Sequence, residues 1–122
     1  MTSVPTSARY GLRAGYKLRT AAEFERARKG RERHGDAFFQ IYCAANDAGA
    51  ARLGMAVGTR AIGNAVRRNR LRRLIRESFR MHRQELPALD IFVTARPAAR
   101  AAQNADVLAS LASLWQAIRS AQ

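Results

Sequence analysis

Arg68, Arg72, Arg76 and Arg80 recur every fourth residue, so at about 100° per residue they share one arc of a helix, which Asn69, Arg73 and Arg83 widen. Each guanidinium is a planar fork of donors that fits phosphate oxygens, and a row at one-turn intervals matches a phosphodiester backbone. Leu71, Leu74, Ile75, Ser78 and His82 fall on another arc of the same helix and offer a face to a core. Residues 60–83 hold nine arginines and a single acid, Glu77, a local charge of +8. Like charges one turn apart each cost about 0.2–0.5 kcal/mol on an isolated helix, a penalty that an anionic partner removes. A merely solvated charged face would carry both signs.

Catalytic chemistry is not apparent in the chain. Its nine acids, Glu23, Glu25, Glu32, Asp36, Asp47, Glu77, Glu85, Asp90 and Asp106, are scattered over different elements and do not form the clustered carboxylates of a metal-dependent nuclease. His34 and His82 have no carboxylate on their own element at a spacing expected to orient them, and Ser78 has no base in reach. Gly54, Gly58 and Gly63 do not have the order of a phosphate loop or dinucleotide fingerprint. These residues imply binding, with no catalytic residue and no metal ligand on the protein.

Composition agrees. The 122 residues suffice for one modest core, and the net charge of +13 comes from 20 arginines and two lysines. Such a surface implies salt-sensitive association with a polyanion. No apolar run approaches the roughly 18 residues needed to span a bilayer, and no basic amphipathic helix suits a lipid surface. Cys43 is the single cysteine, so no intrachain disulfide forms and a reducing, cytoplasmic setting is expected.

The elements that position the arginines follow from pattern. Residues 1–15 read as a flexible basic arm and residues 16–122 as one domain. Thr20 with Glu23 has the spacing of a capping box and opens a short helix to about Lys29. Residues 30–35 suggest a short edge strand. Residues 37–45 alternate, with Phe39, Ile41 and Cys43 on one face and Phe38, Gln40 and Tyr42 on the other. Asn46 to Ala50 reads as a hairpin turn into residues 51–57, so those two strands are expected to pair antiparallel. Asn64 caps the arginine helix, which runs to about Leu86 before Pro87. Residues 90–95 form a strand. A last helix begins near Asn104 with Val107, Leu108, Leu111, Leu114, Trp115 and Ile118 on one side. Phe39, Phe79, Phe92 and Trp115 read as core, and the order is αβββαβα, an α+β chain.

Residues 53–79, LGMAVGTRAIGNAVRRNRLRRLIRESF, resemble the protein subunit of bacterial ribonuclease P, whose hallmark is a Gly-Asn-Ala-Val lead-in to an Arg-Asn-Arg helix. LDIFVTARPA at 89–98 and YKLRTAAEF at 16–24 are similar to further segments of that family in the same order. The resemblance implies a single α+β domain, a central sheet packed by helices, with a left-handed βαβ crossover, an exception to the usual hand. It also implies a heterodimeric ribonucleoprotein with a catalytic RNA. That holoenzyme is an endoribonuclease that removes the 5′ leader from precursor tRNA, with Mg²⁺ held by RNA and substrate. Two other classes compete on charge and size alone: a structural RNA-binding protein of ribosomal type, and a self-sufficient nuclease, which the scattered acids disfavour.

By the same resemblance, Arg60, Arg68, Asn69, Arg70, Arg72, Arg73 and Arg76 face RNA, and Phe24 and Tyr42 line a cleft for the leader. Arg28 stands one turn after Phe24, where the family often has a second aromatic, which implies a phosphate contact there in place of stacking.

Overall fold

The apolar run of the fourth strand takes the centre of the sheet and organises the rest. In a computed structural model, which describes residues 17–18, 21–30 and 32–122, the elements are α1 (Ala21–Arg28), β1 (Glu32–Gly35), β2 (Phe39–Ala45), β3 (Arg52–Ala56), a one-turn α2 (Thr59–Ile62), α3 (Ala65–His82), β4 (Leu89–Ala95) and α4 (Asn104–Ser120). The αβββαβα order is therefore present, with α2 as an added turn. Thr20 and the arm at residues 1–15 lie outside the described residues.

The four strands lie in the order β1-β2-β4-β3, with β1–β2 and β2–β4 antiparallel and β3–β4 parallel. The expected β2–β3 hairpin does not form: β4 inserts between these two strands. Residues Leu89 to Val93 are all buried, and a strand buried on both faces belongs inside a sheet. The intervening loop wraps around Asn46, whose side chain donates to Ala50 O at 3.1 Å and to Asp90 Oδ1 at 2.8 Å, so it crosses the start of β4. Helix α3 then makes the β3-α3-β4 crossover that a parallel pair requires.

One sheet face carries Phe39, Ile41, Cys43, Leu53, Ile91 and Val93 into the main core, against Leu71, Ile75 and Phe79 of α3 and Leu111, Trp115 and Ile118 of α4. Trp115 seals the helix pair: its ring meets Phe79 edge-on at 5.9 Å, and its Nε1 donates to Ser78 Oγ at 2.8 Å. Ser78 is thus a packing contact. Burial, with Glu32 nearby, pushes the Cys43 thiol up to about 12, so it stays protonated.

Further expectations need correction. His34, expected to have no orienting carboxylate on its own element, has its Nε2 2.7 Å from Glu32 Oε2 of the same strand, because side chains two residues apart in a strand share a face. Phe38 precedes β2 and packs towards the main core, because Asp36 Oδ1 accepts from the amides of both Phe38 and Phe39 and turns the chain there. Phe92 is core as expected, in a second cluster with Leu18 and Ala27 on the opposite sheet face. Leu108 remains 38% exposed at the rim of α4. The arginine helix proper ends at His82, and a 3₁₀ turn, Arg83–Glu85, completes the run. Arg83 leaves the arginine arc as a result and donates to Ala51 O at 3.1 Å. Among the described residues no helix is long and apolar enough to cross a membrane.

Candidate nucleic-acid interface

The Gly-Asn lead-in fixes where the arginine helix starts. Ile62 of α2 is fully buried, and Gly63 follows at φ 102°, ψ −138°, a conformation open only to glycine. Asn64 then caps α3, its side chain accepting from Arg67 N at 3.0 Å. Burial of Leu71, Leu74, Ile75, Ser78 and Phe79 sets the rotation of the helix and leaves the arginine arc at the surface.

The arginines on that arc are held by neutral groups. Arg68 Nε donates to Gly63 O at 3.1 Å, and Arg72 Nη1 donates to Asn69 Oδ1 at 3.1 Å. Arg70 turns towards α4, donating to Asn104 Oδ1 at 2.7 Å and to Ala102 O. Asn69, Arg70, Arg73 and Arg76 border one shallow depression with the exposed Val66. Arg60 is exposed on α2. Among the described residues no carboxylate forms an ion pair with any of these arginines, although five arginine–carboxylate pairs form elsewhere. Their donors therefore remain available to an external anion.

A second site lies on the sheet face opposite the main core. Across the four strands, Arg33, Tyr42, Phe92 and Gly54 form one row, and Gly35, Gln40, Thr94 and Ala56 form the next. Helix α1 covers the first row in part. Phe24 meets Phe92 edge-on at 5.6 Å, and a Cβ on Gly54 would lie 2.8 Å from the Phe24 ring, so glycine admits that ring to the sheet. Arg33 sits 5.3 Å from the Tyr42 ring centroid, a cation–π contact. Arg28 projects into solvent and pairs with Glu25 at 2.9 Å; an exposed pair of this kind is weak enough to exchange for a phosphate.

Asp90 anchors α1 over the sheet. Its fully buried carboxylate accepts from Arg52 through Nε at 2.8 Å and Nη2 at 3.0 Å, from Arg26 at 2.8 Å and from Asn46 at 2.8 Å. Arg52 also reaches Glu23 of α1 at 3.1 Å. Burial alone would raise the Asp90 pKa, but the hydrogen bonds from Arg52, Arg26 and Asn46 together hold it below the ordinary carboxylate value. Asp90 raises the Arg52 pKa in return.

The two sites meet at the β3 edge. Lys17, Leu18, Phe24, Gly54 and Met55 share a 210 Å³ groove with Arg72 and Arg76. Arg76 also borders the depression on the other side of α3, and so joins Phe24 and Arg72 to Asn69, Arg70 and Arg73. Arg28, Tyr42, Arg60 and Arg68 border neither hollow. Sequence reading did not single out Arg33, Lys17, Asp90 or Arg100, whose guanidinium lies 3.6–3.7 Å from where a Gly63 Cβ would be. Strand register and chain crossing decide what each of these meets, and no local pattern carries that signal.

Comparison with known proteins gives the family. The ribonuclease P family model matches residues 12–119. The ribonuclease P protein component of Coxiella burnetii is 34% identical over 105 residues, covering 86% of this chain and 87% of that protein. The corresponding component of Thioalkalivibrio sulfidiphilus is 44% identical over 80 residues, covering 66% and 67%. Among solved structures, the Staphylococcus aureus RNase P protein superposes with a TM-score of 0.78 at 32% identity, over 84% of this chain and 94% of that one. The Thermotoga maritima RNase P protein, in complex with 1-(4-fluorophenyl)-2-thiourea, gives 0.74 at 28% identity, over 81% and 96%. The chain belongs to the ribonuclease P family, as the protein component of that tRNA-processing endoribonuclease.

Proposed function

We propose that this chain joins a catalytic RNA subunit, presents the α3 face to RNA and holds the single-stranded 5′ leader of precursor tRNA in the cleft between α1 and the sheet. One observation carries the reading: Arg72 and Arg76, which no carboxylate pairs among the described residues, share a groove wall with Phe24 and Gly54. A phosphate-binding face and an aromatic cleft are the two parts that gripping single-stranded RNA requires. Arg60, Arg68, Asn69, Arg70 and Arg73 extend the first part, while Tyr42 and Arg28 extend the second.

On this reading the RNA carries the hydrolysis. Among the described residues no three His, Cys, Asp or Glu side chains gather as a metal site, and the carboxylates nearest the cleft, Glu23 and Asp90, are held by arginines. The protein residues do not fit a resident cation, so Mg²⁺ is assigned to RNA and substrate phosphates. The protein binds, orients and neutralises.

The test is reconstitution with the cognate RNA subunit at physiological Mg²⁺. Leader cleavage should be faster with the protein than with RNA alone, and Phe24→Ala or Tyr42→Ala should reduce the gain. No gain from the wild-type protein would overturn the proposal.

A further inference from the structure

The connection from β4 to α4 brings to the start of α3 an arginine that helical period does not account for. After Arg96 the chain makes one 3₁₀ turn, Pro97–Ala99, in which Ala99 N donates to Arg96 O at 2.9 Å and Arg100 N to Pro97 O at 3.0 Å. Ala99 is fully buried in the main core, which fixes the rotation of the turn and leaves Arg100 exposed. Helix α3 pins the same connection a little further on, where Arg70 donates to Ala102 O and to Asn104 Oδ1. Arg100 is therefore carried on a fixed segment.

That segment sets Arg100 over Gly63. Its Nε, Cζ and Nη2 lie 3.6, 3.7 and 3.7 Å from the point a Gly63 Cβ would occupy. A point in the plane of the guanidinium could not be so nearly equidistant from all three at that range, so Gly63 meets the face of the group and not its edge. The five N–H donors lie in the plane, and none is directed at Gly63. Among the described residues no carboxylate pairs with Arg100. Arg68 reaches the same glycine at its carbonyl, Nε donating to Gly63 O at 3.1 Å. Two cations held against one residue repel each other, and an anionic strand removes that cost.

We infer that Arg100 is a further RNA-contacting residue of this chain, holding one phosphate of the catalytic RNA beside the phosphate that meets Arg68. The basic face thereby extends past the end of α3, across the Gly63 turn, onto the β4–α4 connection. This rests on the reading that α3 faces the catalytic RNA. Neither Arg68 nor Arg100 lines the groove of Phe24, Arg72 and Arg76 that is assigned to the leader, which favours the RNA subunit over the substrate as the source of the phosphate. A guanidinium fork on phosphate oxygens fixes register and carries no base preference.

The test measures binding of the full chain to the catalytic RNA subunit over a salt series. Arg100→Ala should flatten the dependence of log affinity on log salt by roughly 0.7–0.9, the contribution of one neutralised phosphate. Over a fourfold rise in salt the wild type should thus lose about 3-fold more affinity than the variant. Arg100→Lys keeps the charge and should keep the slope. Arg68→Ala combined with Arg100→Ala should flatten it by about twice as much as either alone, since each arginine has its own phosphate. Arg119→Ala, which removes an exposed charge from the end of α4, should leave it unchanged. A purely structural role for Arg100 would lower affinity alike at every salt concentration.

An unchanged slope in Arg100→Ala, or an equal flattening in Arg119→Ala, overturns the inference. Arg72→Ala separates it from the reading beneath it. If Arg72→Ala flattens the slope and Arg100→Ala does not, only the contact at Arg100 fails; if neither does, the assignment of the α3 face fails as well. A flattening seen only when precursor tRNA binds the assembled holoenzyme would move the phosphate to the substrate and overturn the assignment to the catalytic RNA.

Discussion

At the scale of single residues, charge has two opposite uses in this chain, decided by burial. Among the described residues the α3 arginines stay near solvent without acidic partners, whereas Asp90 has no exposure and is surrounded by donors. Removing one member of a buried, hydrogen-bonded pair costs far more than removing a surface charge. Asp90→Asn should therefore destabilise by about 3 kcal/mol at neutral pH, near the lower end for a broken buried pair because Arg52 keeps Glu23. Arg26→Ala should cost under about 1 kcal/mol, since Arg26 is 52% exposed. The folded Asp90 carboxyl titrates below its unfolded value of about 3.9, so its stabilisation is complete above that pH and is lost as pH falls through the folded value. Urea unfolding at pH 7 and pH 3 checks this: the gap between wild type and Asp90→Asn should narrow in acid, and an equal gap at both would refute it. The α3 arginines were legible in the sequence because helical period is local. Asp90 was not, because its partners lie 38, 44 and 64 residues away in the chain.

At the scale of elements, α3 has one face in the core and one rich in arginine, and substitutions on each should separate folding from the proposed RNA contact. Leu74 is buried among the core residues, so Leu74→Ala should cost about 2–5 kcal/mol in chemical unfolding while altering RNA affinity only through the folded fraction. Arg72→Ala should change stability within about ±0.5 kcal/mol. It should also flatten the dependence of log affinity on log salt by roughly 0.7–0.9, the contribution of one neutralised phosphate. An unchanged slope would show that Arg72 points away from RNA. The period that allows this division also made α3 and α4 readable from sequence, nearly to their ends. The β2–β3 connection misled for a physical reason: a short loop normally favours the local hairpin, and only the all-buried β4 makes a more costly non-local insertion worthwhile. Leu108 misled because a helix at a domain edge exposes the margin of its apolar stripe.

At the scale of the whole molecule, a net charge of +13 on 122 residues is stored repulsion, concentrated where α3 carries its unpaired arginines. Sequence showed the charge but not its meeting with the aromatic cleft, which exists because α1 crosses the sheet and sets Phe24 in one groove with Arg72 and Arg76. Any anion that binds this surface in the folded state, and not in the unfolded chain, stabilises by mass action, about 2.7 kcal/mol at a concentration 100 times its Kd. Screening alone would depend on ionic strength only. Sulfate or phosphate should therefore raise the melting temperature above its value in sodium chloride of equal ionic strength. Single-stranded RNA should do so at far lower concentration, because it engages many guanidinium groups at once. The combined Arg72→Ala, Arg73→Ala and Arg76→Ala variant should lose most of the anion-specific increment. Its melting temperature in chloride should stay equal or rise, since like-charge repulsion has been relieved. If the variant kept the full increment, the α3 face would not be where anions bind, and the RNA-facing assignment would have to move to another part of the basic surface.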